Sequence, residues 1–133
     1  MRLPFLVGSL LCVASASAQI TPLGGGVSPL FVSGSPTRGS TLQISPLPST
    51  YPAVFLGITR GNLSMTAVGA GCGDVLIPQA DIFSPVTLAL AIPNDPNLVG
   101  FPIYAQGVLG GVPPCFLAGV YFQLTQAIEI RIQ

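Results

Sequence analysis

Histidine, lysine and tryptophan are absent from this chain of 133 residues, and only 6% of its residues carry a formal charge. Without histidine the chain has no Ser-His-Asp or Cys-His arrangement, and it lacks the commonest general base and metal ligand. Four basic and four acidic residues form no basic patch that would meet the phosphates of a nucleic acid. The composition therefore predicts a protein without a cofactor and without a nucleic-acid partner.

Helical periodicity is also absent. No segment keeps apolar residues at i, i+3, i+4 and i+7 over three turns, and 14 prolines interrupt the chain. Half of the residues are hydrophobic, which argues against disorder. Short segments of alternating apolar and polar residues are joined by turns rich in glycine and proline. This pattern predicts an all-β fold, a single jelly-roll-like β-sandwich of about eight short antiparallel strands.

The first residues have the pattern of an export signal. Arg2 precedes an apolar run over Leu3–Val13, and small residues lead to a cleavage position before Gln19. The alternatives are a buried N-terminal helix and a membrane anchor. The apolar run is shorter than the roughly 20 residues that span a bilayer, which argues against the anchor. We predict a cleaved signal peptide over residues 1–18, a leader with a possible first strand over 19–33, and the β-sandwich over 34–133. The mature chain is then secreted or at the cell surface, without a transmembrane segment.

Two cysteines, Cys72 and Cys115, remain once Cys12 leaves with the signal. An even number of cysteines in an exported protein predicts a disulfide, and both residues lie in loops rich in glycine and proline. The alternative is two separate buried thiols. Two cysteines without a histidine are too few for a four-ligand zinc site.

The strongest local pattern covers Pro85–Leu109. Apolar residues alternate over 86–92, turn-forming residues fill 93–97, and apolar residues alternate again over 99–105. Two such runs around a turn predict a β-hairpin, which the proposed disulfide would enclose. Because Pro102 has no N–H, its strand is expected at a sheet edge, or with that position unpaired.

Candidate ligand contacts come from the polar face of these strands. Tyr104 and Gln106 lie opposite the apolar residues of the second run, and the alternation farther along points Val120 inward and Tyr121 outward. Exposed aromatic rings on a β-sandwich are typical of glycan binding, so we predict a ligand-binding set of Tyr104, Gln106 and Tyr121. The alternative is that this face packs against the other sheet.

Two carboxylates close in sequence, Asp74 and Asp81, are the remaining candidates for chemistry. They would serve as an acid pair for hydrolysis or as half of a calcium site, but the sequence contains no calcium-loop motif. The preceding Gly69–Asp74 stretch lacks the spacing of phosphate-binding loops and is interpreted as a plain loop. We therefore assign no metal ion.

Longer stretches carry a family resemblance. The sequences GCGDVLIP and LALAIPNDPNLVGFPIYAQGVL, with the earlier GSPTRGSTLQISPLPSTYPAVFLGIT, resemble a C-terminal β-rich module of secreted planctomycete-type bacterial proteins. The resemblance covers most of Val32–Gln133 and rests on turn and strand residues. It implies export and a β-sandwich, and it implies no catalytic activity.

These observations predict an exported, non-enzymatic module with a structural, adhesive or surface-assembly role. Its expected partner is an extracellular glycan or a cell-surface protein. A carbohydrate-binding module that uses exposed tyrosines is the alternative, and a minimal hydrolase that uses Asp74 and Asp81 is a remote one.

Overall fold

The computed structural model describes residues 19–49, 51–85 and 87–133, which form eleven strands and two short 3-10 helices. The strands are β1 (Ile20–Gly25), β2 (Leu30–Ser33), β3 (Thr41–Pro46), β4 (Tyr51–Gly57), β5 (Leu63–Ser64), β6 (Asp74–Val75), β7 (Ile82–Ser84), β8 (Leu88–Ala91), β9 (Pro102–Leu117), β10 (Val120–Leu124) and β11 (Gln126–Arg131). The 3-10 helices cover Thr66–Val68 and Pro96–Leu98. Among the described residues, no helix has both the length and the apolar character needed to cross a membrane.

The strands form two main sheets. The larger follows the order β1-β11-β9-β4-β7, with β10 also paired to β9, and the smaller follows β2-β3-β8. A short β5-β6 pair is separate, and every pairing between named strands is antiparallel. The all-β prediction is confirmed. The strand number exceeds the expected eight because several strands have only two or three residues.

The core lies between the two sheets and follows from the two-residue period of the strands. Leu42 and Ile44 of β3 are fully buried, whereas Thr41 and Gln43 beside them are exposed. The larger sheet contributes residues on alternate positions of its central strands. The buried members of this cluster are Leu42, Ile44, Val54, Leu56, Leu88, Ile92, Ile103, Ala105, Ile128, Ile130 and Ile132.

The predicted hairpin over Pro85–Leu109 is wrong. β8 pairs with β3 in the smaller sheet, whereas β9 pairs with β4, β10 and β11 in the larger one. The turn-rich segment between them crosses from one sheet to the other, and Asp95 Oδ1 accepts a hydrogen bond from Asn97 N at 3.0 Å there. Two strands joined by turn residues can pair as a hairpin or can connect two facing sheets. The sequence pattern is the same, because in either arrangement both strands turn their apolar faces toward one core. Val86 lies outside the described residues.

Other local predictions have mixed outcomes. The ion pair expected on β11 is confirmed, with Arg131 Nε 3.0 Å from Glu129 Oε1. Pro102 does not mark an edge, since β9 is central, but it is the first residue of that strand, where a missing N–H is tolerated. Residues 20–25, expected as a leader, form β1 and pair with β11. The predicted signal peptide lies outside the described residues.

A second, smaller core contains the disulfide. Cys72 and Cys115 are bridged, with their Cα atoms 5.2 Å apart, so the predicted pairing is confirmed. Both are buried with Leu124 of β10, and the half-buried residues packed on them are Met65, Val68, Val75, Val108 and Phe122. The bridge therefore ties the segment around β5 and β6 to the end of β9.

Gly73, beside this disulfide, is a position where only glycine fits. Its φ is +91°, and a Cβ there would overlap the carbonyl oxygen of Gly25. Gly71 has a similar φ of +77°, but no atom lies within 4 Å of its Cβ position. We expect Gly71→Ala to cost about 1 kcal/mol of unfolding free energy through backbone strain alone, and Gly73→Ala about 3 kcal/mol. Urea denaturation of the two variants checks this, and equal losses would contradict it.

Candidate binding surfaces

Gln106 is not available to a ligand. Its side chain is 0% exposed. Gln106 Oε1 accepts a hydrogen bond from Leu76 N, and Nε2 donates to the carbonyl oxygens of Asp74 and Thr125, each at 3.0 Å. The prediction that Gln106 lies on an exposed binding face is therefore wrong. The segment around β6 covers this side of β9, so the polar side chain is buried but has its hydrogen bonds satisfied.

Tyr104 and Tyr121 do not form one platform. Tyr104 is half-buried near the start of β9, opposite Gly57 of β4 and Glu129 of β11. Tyr121 lies opposite Phe116, near the other end of β9. The six residue steps from Tyr104 to Gly110 alone cover roughly 20 Å of strand. The two tyrosines are thus too far apart to contact one sugar ring together.

The structure instead places Tyr121 in an exposed apolar cluster at the end of the β9-β10 hairpin. We call residues 116–121 the apolar tip. Phe116, Leu117, Val120 and Tyr121 are each 48–54% exposed, and the rings of Phe116 and Tyr121 are 4.8 Å apart at 53°. Val120 was expected to point inward. It is exposed instead, beyond a shift of the pairing register between Tyr121 and Phe122, where residues 111–115 of β9 have no partner on β10.

The base of the tip is held on both strands. On β9, Cys115 forms the disulfide immediately before Phe116. On β10, Gln123 Nε2 donates to Pro113 O at 3.2 Å, and Ser28 Oγ donates to Gln123 Oε1. The tip was missed from the sequence because Gly110–Cys115 was interpreted as a loop. The available signal was Leu117-Ala118-Gly119-Val120, a two-residue turn between apolar residues.

The turn of the tip contains a strained residue. Ala118 has a φ of 55° and Gly119 a φ of 82°, as in the two-residue turns that suit β-hairpins. Alanine disfavours this region and asparagine tolerates it, so we expect Ala118→Asn to raise the unfolding free energy by about 0.5–1 kcal/mol. Ala118→Val, with a branched Cβ, should lower it. Thermal denaturation of both variants is the check, and a shift of both in the same direction would contradict the prediction.

The two carboxylates, Asp74 and Asp81, lie in different surroundings. Asp74 is on β6, where its carbonyl oxygen accepts from Gln106 Nε2. Asp81 is exposed before β7, and its N–H donates to Leu56 O at 2.8 Å. Within the described ranges, no three residues of the His, Cys, Asp and Glu types are grouped to hold a metal ion. The hydrolase alternative gains no support from this arrangement and stays a prediction.

The resemblance carried by residues between Val32 and Gln133 rests on turns and strands, and none of the contacts described above tests it. The resemblance therefore stays a prediction. No protein-family model, no curated protein and no solved structure matches this chain.

Proposed function

We propose that the chain is an exported, non-enzymatic β-sandwich module with an adhesive or surface-assembly role, and that the apolar tip is its contact surface. The observation that carries the proposal is the cluster of four half-exposed apolar side chains on one hairpin. Contiguous exposed apolar patches mark interaction sites on soluble domains. Export is supported by the pattern of residues 1–18.

The chemistry of the tip favours a protein partner with an apolar pocket. Residues 116–121 include no charged side chain, and their only polar side-chain group is the Tyr121 hydroxyl. Aromatic residues dominate the binding energy of protein interfaces when they enter a desolvated pocket. Because the disulfide and the Gln123 hydrogen bonds hold the base of the tip, little conformational entropy is lost when it binds.

The test is binding of the purified, labelled protein to intact cells and to the extracellular proteins of its source. Phe116→Ser/Tyr121→Ser should weaken binding at least about 30-fold, the factor that corresponds to a loss of 2 kcal/mol. The matched control is Phe83→Ser/Val99→Ser, which replaces two exposed apolar residues elsewhere. Equal weakening by both variants, or no binding of the unmodified protein, would contradict the proposal.

Glycan binding through exposed tyrosines remains the second candidate, because Tyr121 is half exposed beside Phe116. A glycan array with Tyr121→Ala and Tyr104→Ala distinguishes the two candidates. Loss of an array signal in Tyr121→Ala but not in Tyr104→Ala would support glycan binding at the tip, whereas no signal for the unmodified protein would exclude it. The tilt of 53° between the rings and the engagement of the Gln123 amide favour the protein partner.

A further inference from the structure

A cleft on the smaller sheet has a lining unlike that of the apolar tip. Phe31 of β2 lies opposite Ser45 of β3. On the other side of β3, Ile44 pairs with Leu88, so Thr87 comes next to Ser45. An aromatic ring and two hydroxyl side chains therefore lie in one row from β2 across β3 to the residue before β8, which spans roughly 10 Å at the usual strand spacing.

Three prolines lie in the walls of this cleft. Pro46, Pro48 and Pro52 line it together with the row just described. Proline rings fix the backbone φ, and Ser84 Oγ donates to Thr87 O at 3.0 Å, which holds the strand on the far side. The cleft is half open and has a volume of about 430 Å³. That volume is within the range of small-molecule sites, which is about 300–1,000 Å³.

Ser49 supplies a polar group with no partner. Ser49 is among the residues that line the cleft, and its buried Oγ has no hydrogen-bond partner among the residues that the structure describes. It is the one buried side-chain polar atom in that part of the chain of which this is true. Burying a hydroxyl without a hydrogen bond is unfavourable, so a group that binds in the cleft and pairs with Ser49 Oγ is favoured there.

The lining also restricts the ligand. None of the residues that line the cleft is charged. A charged ligand would lose hydration without gaining a counter-charge, and a purely aliphatic ligand would leave Ser49 Oγ unpaired. A neutral ring with several hydroxyl groups meets both conditions, because its apolar face contacts an aromatic ring while its hydroxyls bond to serine and threonine.

We propose that this cleft binds the ring of a neutral saccharide, with Phe31 against its apolar face and Ser49 Oγ hydrogen-bonded to one of its hydroxyls. The proposal is independent of the apolar tip, which belongs to another part of the fold. Phe31 is 50% exposed, so its ring is accessible before the ligand arrives.

The test titrates the purified protein with glucose, galactose, mannose, N-acetylglucosamine and their disaccharides, followed by NMR. Glucuronic acid and glucosamine are the charged counterparts, and we expect them to bind more weakly. Phe31→Ala should weaken the best neutral ligand about tenfold. Ser49→Ala should weaken it about threefold or more and should also raise the melting temperature, because the unpaired buried hydroxyl is removed.

The controls are Phe83→Ala, another exposed phenylalanine, and Ser33→Ala on β2 outside the cleft lining. Both should keep the affinity of the unmodified protein, and so should Phe116→Ser/Tyr121→Ser. The proposal is overturned if no neutral saccharide binds, if charged saccharides bind equally well, or if the cleft variants keep full affinity. Loss of cell binding in the tip variant with intact saccharide binding would separate this result from the adhesion test.

Discussion

Replacing Gln106 by leucine is expected to lower the free energy of unfolding by about 4 kcal/mol. The substitution leaves the N–H of Leu76 and the carbonyl oxygen of Asp74 without their side-chain partner, whereas the carbonyl oxygen of Thr125 keeps its hydrogen bond from Gly26 N. Each buried group left unpaired costs about 1–3 kcal/mol, and the losses within one network do not simply add. A domain of ordinary stability, about 5–15 kcal/mol, would lose a large part of it.

Guanidinium denaturation measures this loss, and Gln43→Leu is the matched control. Gln43 lies on the outer face of β3, where it is exposed and makes no side-chain hydrogen bond among the described residues. The same chemical change there should shift the unfolding free energy by less than about 0.5 kcal/mol. Similar effects at the two glutamines would mean that the Gln106 network does not hold β6 against β9.

A carboxyl at position 106 adds a pH dependence with a defined sign. Gln106→Glu keeps the size of the side chain but replaces the donor to two carbonyl oxygens by a second acceptor. Burial and the facing carbonyls raise the pKa of the introduced carboxyl above its ordinary value of about 4.3. The folded state then binds the proton more tightly than the unfolded state. The unfolding free energy of the variant should therefore fall as the pH rises from the ordinary carboxyl pKa toward the raised one. Unmodified protein in the same buffers is the reference.

Removing the disulfide is the second large effect that we expect. Cys72→Ala/Cys115→Ala opens a loop with a sequence separation of 43 residues. On the loop-entropy account, the unfolded chain gains freedom that corresponds to about 4 kcal/mol of lost stability. Both sulfurs also leave the small core around Leu124, so some contact energy is lost with them.

Reductant provides the control for this prediction. The unmodified protein in reductant should fall close to the stability of the double variant, whereas the double variant itself should not respond to reductant. A loss of less than about 1 kcal/mol, or a response of the double variant to reductant, would contradict the account. The double variant also tests whether the disulfide holds the base of the apolar tip, because Phe116 follows Cys115 directly.

Features that depend on neighbours along the chain were predictable. The absence of helical spacing and the alternation in strands such as β3 and β11 indicated the all-β fold, because a strand with one buried face must repeat every two residues. The disulfide was predictable from the number of cysteines in a chain with an export pattern, and the ion pair of β11 from its two-residue spacing.

Features that depend on contacts between residues far apart in the chain were not predictable from the sequence. Apolar residues do alternate over 88–92 and over 99–105. Two strands with apolar faces toward one core can belong to the same sheet or to two facing sheets, and here they belong to two. The polar face with Gln106 looked like a free surface, since nothing local indicates that β6 covers it.

The sequence by itself determined the class of the fold, the positions of most strands, the bridged cysteines and the residue types that are missing from the chain. The tertiary structure alone decided which strands pair, that Gln106 is buried and Tyr121 exposed beside Phe116, and that Phe31, Ser49 and Thr87 line one cleft. The physical reason is that the alternation of apolar and polar residues along a strand indicates only whether a side chain is buried or exposed. Its partner is chosen by contacts between residues far apart in the chain, and these exist only once the sheets have packed.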